Sequence, residues 1–257
     1  MSIVPIAWWQ LALCAIFVMI AGTGSVVLKL KLEKDLLWGT FRTVVQLFII
    51  GYLLTFIFDF SHPLPVLLFY LFMISNAAWN IYRRVKEKEV SYFAPTYISM
   101  VLSYFCITIV VTAVIVQVDP WYKPQYFIPL GGMIIGNAMN AITIALERLF
   151  TDLRRQRKEI ELWLCLGATY QEATRDIMGQ AIRAGMLPSI NALMTVGLVS
   201  LPGMMTGQIL AGNPPEIAVR YQIIVMLMIV AAVALGSMIT VYLVRRRCFT
   251  NAHQPRL

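Results

Sequence analysis

The segment from Glu147 to Pro188 reads ERLFTDLRRQRKEIELWLCLGATYQEATRDIMGQAIRAGMLP and is the only long polar stretch of the chain. The rest of the 257 residues is almost continuously apolar, since 59% of all residues are hydrophobic and only 13% are charged. Soluble domains carry roughly a quarter charged residues. The contrast predicts that this segment lies in water and that most of the remaining chain lies in a membrane.

Long apolar runs flank the polar segment on both sides, and several approach the roughly 20 residues that cross a bilayer as a helix. They predict an all-α, polytopic membrane protein with one transmembrane domain over residues 1–257. We expect about seven crossings, with the sixth interrupted at Pro202 and Gly203 or re-entrant there. The predicted spans are 6–28, 36–58, 64–81, 95–118, 127–146, 186–212 and 221–244.

Lys and Arg residues indicate which loops lie in the cytoplasm. Of the 21 in the chain, all but Arg42, Lys123 and Arg220 fall in two short loops, in the polar segment or in the C-terminal tail. The positive-inside rule places those regions in the cytoplasm and the N-terminus outside. The net charge of +8 is spread over short clusters at span ends. The bilayer is therefore the expected partner of these charges, and nucleic acid is not.

Polar side chains recur at helical spacing inside the predicted spans. Arg42 and Gln46 share one face of the second span, and Asn76 and Asn80 share one face of the third. The fifth span carries Asn137, Asn140, Thr143 and Glu147. Such residues are candidates for a transport pathway. The alternatives are an Arg42 that reaches the headgroups and asparagines that hydrogen-bond between packed helices.

Several function classes lack their signature in this sequence. No Asp or Glu lies in the middle of a predicted span, although proton-coupled carriers use such carboxylates. No GxxxxGK[ST] loop is present for binding ATP, and His62 and His253 are the only histidines. The four cysteines are far apart in sequence, which disfavours disulfides and zinc. We therefore expect a chain that is not an enzyme and contains no ATPase of its own.

The polar segment contains the signals of two helices joined by an elbow. Gly167 follows the apolar run ELWLCL and predicts a helix end, while Thr169 and Glu172 form a capping box that starts a new helix at Tyr170. That second helix is expected to be amphipathic, with one apolar stripe. The stripe consists of Tyr170, Ala173, Ile177 and Ala181. The segment either lies on the membrane surface or docks a cytoplasmic partner, and these features leave both open.

The chain resembles the FetB (YbbM-like) family of ABC transporter permeases over roughly residues 10–245. The plant relatives of that family are the STAR-type aluminium-sensitivity membrane subunits. The stretches that carry the resemblance are the LGA elbow at 166–168 with EA at 172–173, AIRAGMLP at 181–188, LEKDLLWGTFRTVVQL at 32–47, NAAWN at 76–80, GGMIIGNAMNA at 131–141 and VGLVSLPGMMTGQILAGNPPEIAVRYQIIVM at 196–226.

The resemblance implies the permease of an iron or other metal exporter, acting as a homodimer in the bacterial inner membrane. A separate FetA-like ATPase would bind ATP and Mg²⁺, and this chain would bind no cofactor. Residues 147–185 would form the coupling segment. Its ATPase-coupling residues would be Glu159, Glu161, Leu166, Gly167, Ala168, Thr169, Glu172 and Ala173. The alternatives are an ATP-independent metal or ion carrier or channel, and an ABC exporter of another cargo such as nucleotide sugar.

Candidate metal contacts follow from ligand chemistry. Thioether sulfurs suit soft or low-valent metals, and amide side chains supply oxygen ligands. The candidates are Met204, Met205, Asn137, Asn140 and Gln208. Ordinary core packing is the alternative for the methionines. Pro202 and the glycines around it also predict a bend that suits a gate.

Overall fold

The computed structural model describes residues 6–58, 62–87, 89–250 and 254–255, and within these ranges the chain is helical without any strand. The all-α prediction is thus confirmed. The helices are α1 (Trp8–Val27), α2 (Glu33–Phe58), α3 (Pro63–Arg84), α4 (Phe93–Ile109) with a π-helical end (Val110–Ile115), α5 (Pro124–Arg155), α6 (Arg157–Cys165), α7 (Tyr170–Ala173), α8 (Arg175–Thr195), α9 (Gly203–Leu210) and α10 (Pro215–Arg247). The chain divides into two compact units, the first with α1 and α2 and the second with α3 to α8, nearly all of α9, and α10.

In the first unit, the turn between α1 and α2 is closed by the buried side chain of Ser25. Its Oγ accepts a hydrogen bond from Leu32 N–H at 2.9 Å, and its hydroxyl group donates one to Glu33 Oε2 at 3.1 Å. The ring of Trp8 stacks on that of Phe48 with 5.6 Å between centroids. Only 6% of the apolar stretch of each helix is buried, so both helices present the kind of surface that hydrocarbon solvates.

The second unit is built around α5, which packs against α3, α4, α8 and α10. Gly185 brings α8 close to α5, because a Cβ atom at this position would lie 2.6 Å from the carbonyl oxygen of Ala141. Between α3 and α4, the buried hydroxyl groups of Tyr70 and Thr108 share a hydrogen bond of 2.8 Å. These contacts join the helices through backbone proximity and a satisfied buried polar pair.

The helix that contains the start of the sixth predicted span begins before that span. The sequence prediction began this span near Met186, but α8 runs without a break from Arg175 to Thr195, through Met186 and Pro188. The predicted boundary followed the change from polar to apolar composition. A helix can continue across such a change, because its backbone hydrogen bonds do not depend on side-chain polarity, and here it also continues through Pro188, which donates no such bond. The coupling segment and the sixth apolar run therefore share one helix.

The sixth run is interrupted, but at residues 196–202, and Gly203, which the prediction placed in the interruption, is the first residue of α9. Between α8 and α9 the chain turns, with Gly197 at a φ of +86° and its N–H donating to the carbonyl oxygen of Ser200 at 2.9 Å. A positive φ favours glycine, which explains the residue type. The chain becomes helical again at Gly203, directly after Pro202.

Six helices in the described part of the chain are long and apolar enough to cross a membrane. They are α1, α2, α3, α4 with its π-helical end, α5 and α10. Neither α8 nor α9 is among them, so the expected seventh crossing and the orientation of the N-terminus stay predictions. The helices α3 and α5 continue beyond the ends of the corresponding predicted spans, to Arg84 and Arg155.

Candidate functional site

The elbow predicted at Gly167 is present. The helix α6 ends there, with Gly167 at a φ of +92°. The N–H of Ala168 reaches back to the carbonyl oxygen of Trp163 at 3.0 Å, and the N–H of Gly167 reaches that of Leu164 at 3.1 Å. Both bonds satisfy carbonyl groups that the end of a helix leaves without partners. The reversal is therefore fixed by the backbone itself.

The capping box predicted at Thr169 is also confirmed. The Thr169 N–H donates to Glu172 Oε2 at 2.8 Å, and the Glu172 N–H donates to Thr169 Oγ1 at 3.3 Å. The first of these bonds, followed by the one from the Thr169 hydroxyl, lowers the pKa of the exposed Glu172 carboxyl group. Both interactions favour the charged carboxylate.

The helix that starts at Tyr170 is shorter than predicted. It is the single turn α7, and α8 begins only at Arg175. Between them lies Thr174, which is fully buried and donates its hydroxyl to the carbonyl oxygen of Tyr170 at 2.6 Å. Threonine side chains compete in this way with helical backbone bonds, which explains the break. Of the predicted stripe, Ile177 and Ala181 are buried, while its two α7 members are half-buried.

The elbow presents apolar side chains to its surroundings. Leu166 exposes 73% of its surface and Trp163 exposes 51%. A groove of about 740 Å³, lined in part by Glu161 and Cys165, lies beside Gly167 and Ala168. A second groove, of about 720 Å³, reaches the same two residues. The remaining predicted coupling residues, Glu159, Leu166, Glu172 and Ala173, line the second groove, and Thr169 lines the first.

The elbow is anchored to the end of α10 by aromatic contacts that the sequence analysis missed. The ring of Tyr170 stacks on that of Phe249 with 5.2 Å between centroids. The guanidinium carbon of Arg245 lies 5.7 Å from the Tyr170 ring centre and 5.5 Å from that of Tyr242. Arg245 is only 4% exposed, and cation–π contact suits a desolvated guanidinium. In the sequence, Arg245 belongs to a run of three arginines that indicates the cytoplasmic side of the membrane but no contact with Tyr170.

Ion pairs hold the extension of α5 beyond its predicted span. The side chain of Asp152, only 1% exposed, lies 2.6 Å from Arg148 Nε and 3.5 Å from Arg155. Arg154 lies 2.6 Å from the buried carboxylate of Glu87, in the loop between α3 and α4. Buried charges require such partners. The basic residues of this segment are therefore partly engaged within the protein.

The polar residues predicted inside the spans fall into separate places. Arg42 and Gln46 are exposed on α2, and Asn76 and Asn80 lie on one face of α3. Asn137 and Asn140 line a cavity of about 140 Å³ bounded by α5, α8 and α10. Glu147 lies nearer the C-terminal end of α5 and lines a cavity of about 380 Å³ with Glu87 and Arg154.

The candidate metal contacts are not brought into one cluster. Met205 lines an apolar cavity of about 410 Å³ between α8, α9 and α10, which is separate from the cavity of Asn137 and Asn140 but shares the side chain of Met226 with it. Met204 and Gln208 line neither cavity, and Gln208 Oε1 is buried without a hydrogen-bond partner. The described residues contain no group of three or more His, Cys, Asp or Glu side chains that could hold a metal ion.

One cavity-lining residue was missed by the sequence analysis. Gln222 of α10 lines the same cavity as Met205, is buried, and has its Oε1 without a partner. No sequence signal distinguished it from the apolar residues around it. The position becomes visible only when α8, α9 and α10 are assembled.

Known proteins resemble this chain over most of its length. The family described as "Uncharacterised protein family (UPF0014)" matches residues 8–249. The UPF0014 membrane protein slr1647 of Synechocystis is 41% identical over 89% of this chain and 88% of its own length. The probable iron export permease protein FetB of Escherichia coli is 38% identical over 95% and 93%, respectively.

A plant protein gives a similar result. The protein ALUMINUM SENSITIVE 3 of Arabidopsis thaliana is 34% identical over 95% of this chain and 88% of its own length. No solved structure matches the chain. The resemblance to FetB and its plant relatives is confirmed by these matches. With a family match from residue 8 to residue 249 and several apolar helices, this multi-pass membrane protein belongs to the UPF0014 family.

Proposed function

We propose that this chain is the permease subunit of an ABC transporter that exports iron or another metal cation with energy from a separate, FetA-like ATPase. The observation that carries the proposal is the exposed apolar elbow around Leu166, on a segment that the charge distribution assigns to the cytoplasm. Exposed apolar patches on otherwise polar surfaces mark interaction sites. The name of the E. coli relative, an iron export permease, supports the cargo class.

The charges beside the elbow favour a protein partner over the membrane surface. Four carboxylates line the two grooves, against two guanidinium groups. The carboxylates belong to Glu159, Glu161, Glu172 and Asp176, and the guanidinium groups to Arg157 and Arg175. Cytoplasmic leaflets are negatively charged and attract basic segments. A surface with an excess of carboxylates fits a protein groove better.

The working assembly is a homodimer of this chain in the bacterial inner membrane, with one ATPase bound at each elbow. ATP and Mg²⁺ bind to the ATPase chains. ATP-driven closure of the two ATPases moves the elbows, and α8 connects each elbow with the apolar part of the protein. The absence of a P-loop in this sequence explains why such a partner is required.

The docking role is tested by co-purification with the P-loop ATPase encoded nearest to this chain. We expect Leu166→Asp to abolish the complex, since it places a charge at the centre of the apolar patch without affecting a buried contact. Lys158→Gln is the control, because it changes the net charge equally at an exposed residue outside both grooves. An unaltered complex with Leu166→Asp would contradict the docking role.

Native thiols provide a second readout of docking. Cys165 is exposed beside the elbow, whereas Cys248 is buried. Burial, followed by the charge of Glu87, raises the pKa of the Cys248 thiol to about 12 and keeps it from reacting as a thiolate. ATPase binding should slow maleimide labelling of Cys165, and equal rates with and without the ATPase would argue against contact at the elbow.

Cargo is tested by ATP-driven transport in vesicles that contain both proteins. Fe²⁺, other divalent metals and a nucleotide sugar are compared under the same conditions. Metal transport that requires ATP and the ATPase supports the proposal. Metal transport by this chain alone would instead identify an ATP-independent carrier, and transport of nucleotide sugar alone would identify a different cargo.

A further inference from the structure

A polar groove runs along α5 between α3 and α8. The helix α5 packs against both neighbours. On its open side Asn137 and Asn140 are exposed and line a cavity with Pro188 and Ser189 of α8. On α3, Asn76 and Asn80 lie on the side of the helix that also carries Met73 and Arg84, both of which contact α5. The groove thus places four asparagine side chains within two helices that the charge distribution orients in the same direction through the membrane.

Two contacts between α3 and α5 show that the four asparagines lie at similar heights along the two helices. Met73 Cε in α3 lies 3.2 Å from the position that a Cβ atom would occupy at Gly132 in α5. Arg84 Nη1 lies 3.4 Å from Asn140 Oδ1. Asn76 and Asn80 lie between Met73 and Arg84 in sequence, and Asn137 lies between Gly132 and Asn140. All four asparagines therefore occupy the same short length of the groove.

Hydrogen bonds fix which end of each amide faces the groove. The Nδ2 group donates to the carbonyl oxygen four residues earlier in Asn76 (2.9 Å), Asn80 (2.8 Å) and Asn137 (2.8 Å). A backbone carbonyl accepts but cannot donate, so the amide nitrogen must be the atom turned towards it. The side-chain oxygens of these three residues have no hydrogen-bond partner within the described part of the chain.

Lipid cannot cover such a surface. Amide oxygens without partners are costly in hydrocarbon, so polar faces at membrane depth meet protein or water. Amide carbonyl oxygens are also the ligands with which channels replace the hydration shell of a cation. The fourth oxygen, that of Asn140, already accepts from a cation, the guanidinium group of Arg84.

We propose that the asparagine oxygens of this groove bind the transported metal cation, and that Arg84 occupies the Asn140 oxygen until a cation replaces it. This rests on the proposed function, because it takes a metal cation to be the transported cargo. Carbonyl oxygen ligands suit hard divalent cations such as Mn²⁺. They do not suit the phosphates of a nucleotide sugar, because an acceptor oxygen with a partial negative charge repels a negatively charged phosphate oxygen.

The test is Mn²⁺ binding to the purified full chain in lipid nanodiscs without an ATPase, followed by electron paramagnetic resonance and competed with Fe²⁺ under anaerobic conditions. We expect Asn137→Leu with Asn140→Leu to weaken Mn²⁺ binding at least tenfold. Asn191→Leu is the control, since Asn191 is exposed on α8 and does not line the cavity. Size-exclusion profiles and tryptophan fluorescence establish that each variant is folded.

Arg84→Gln provides a variant with the opposite expected effect. Removing the competing guanidinium should strengthen Mn²⁺ binding several-fold, whereas a general loss of structure would weaken it. Unchanged Mn²⁺ affinity in the double asparagine variant, or an equal loss in Asn191→Leu, would overturn the site. Unchanged affinity in Arg84→Gln would overturn the role of Arg84. Because no ATPase is present, these results are independent of whether the docking experiment succeeds.

Discussion

Thr169 and Glu172 fix the direction in which the chain leaves the elbow, because each side chain satisfies a backbone N–H of the other residue. Gly167 supplies the positive φ that turns the chain before them. Three residues thus determine where the exposed Leu166 is presented. At this scale the sequence is highly informative, since a capping box and a helix-ending glycine act over only a few residues.

We expect the elbow to loosen in acid. The pKa of Glu172 is lowered in the folded chain by the hydrogen bond from the Thr169 N–H, and secondarily by that from its hydroxyl. The stabilisation is therefore present above the pKa of an unfolded-state glutamate and is lost as the pH falls through the lower, folded-state pKa. Hydrogen exchange should show smaller protection factors for residues 170–173 in acid than at neutral pH.

The control for this pH dependence is Glu172→Gln. Its side-chain oxygen can still accept the bond, but it does not titrate, so protection of the elbow should become independent of pH. The buried part of α5 should retain its protection throughout the range. A Glu172→Gln variant that loses protection over the same pH range as the unmodified chain would contradict the assignment.

Among the helices, the closest approach of α8 to α5 depends on the absence of a side chain. A Cβ at Gly185 would lie 2.6 Å from the Ala141 carbonyl oxygen and 3.0 Å from the Ala145 Cβ, and neither atom can move without its helix. Gly185→Ala should therefore destabilise the protein by about 1–3 kcal/mol, as overpacking does. The measurement is thermal or denaturant unfolding in detergent.

The same helix provides the matched control. Gly179 also lies in α8, but a Cβ there would meet nothing within 4 Å. Gly179→Ala should stabilise the protein by about 0.5–1 kcal/mol, because alanine loses less backbone entropy in a helix. The two identical substitutions thus have opposite expected signs. Equal signs would show that α8 and α5 do not approach each other as described.

Helix lengths show where sequence prediction succeeds and where it stops. Hydropathy predicted apolar runs that coincide with helices α1 to α5 and α10, because a helix long enough to cross a bilayer needs a continuous apolar run. It did not extend α5 to Arg155, because that extension is held by Arg154 pairing with Glu87 from another loop. It also missed the stacking of Tyr170 on Phe249, which joins residues distant in sequence. Structure that depends on neighbouring residues could be predicted from the sequence, and contacts between residues distant in sequence could not.

For the molecule as a whole, the orientation in the membrane is testable with single thiols. We expect Lys123→Cys, in a chain with the native cysteines replaced by serine, to react with an impermeant maleimide on intact cells. A chain that retains only Cys165 should react only after the cells are permeabilised. The reason is the enrichment of Lys and Arg on the side of the elbow. The reverse pattern would contradict the predicted orientation.

The unbroken course of α8 determines how a displacement at the elbow would travel. Its 21 residues correspond to a rod of about 31 Å at 1.5 Å per residue. A tilt of about 10° around the elbow end would move the far end by about 5 Å, a full helical turn. That far end leads into the Gly197 turn and α9. In the proposed transporter α8 would therefore act as a lever, which converts a small rotation at the elbow into a displacement of several ångströms at the Gly197 turn.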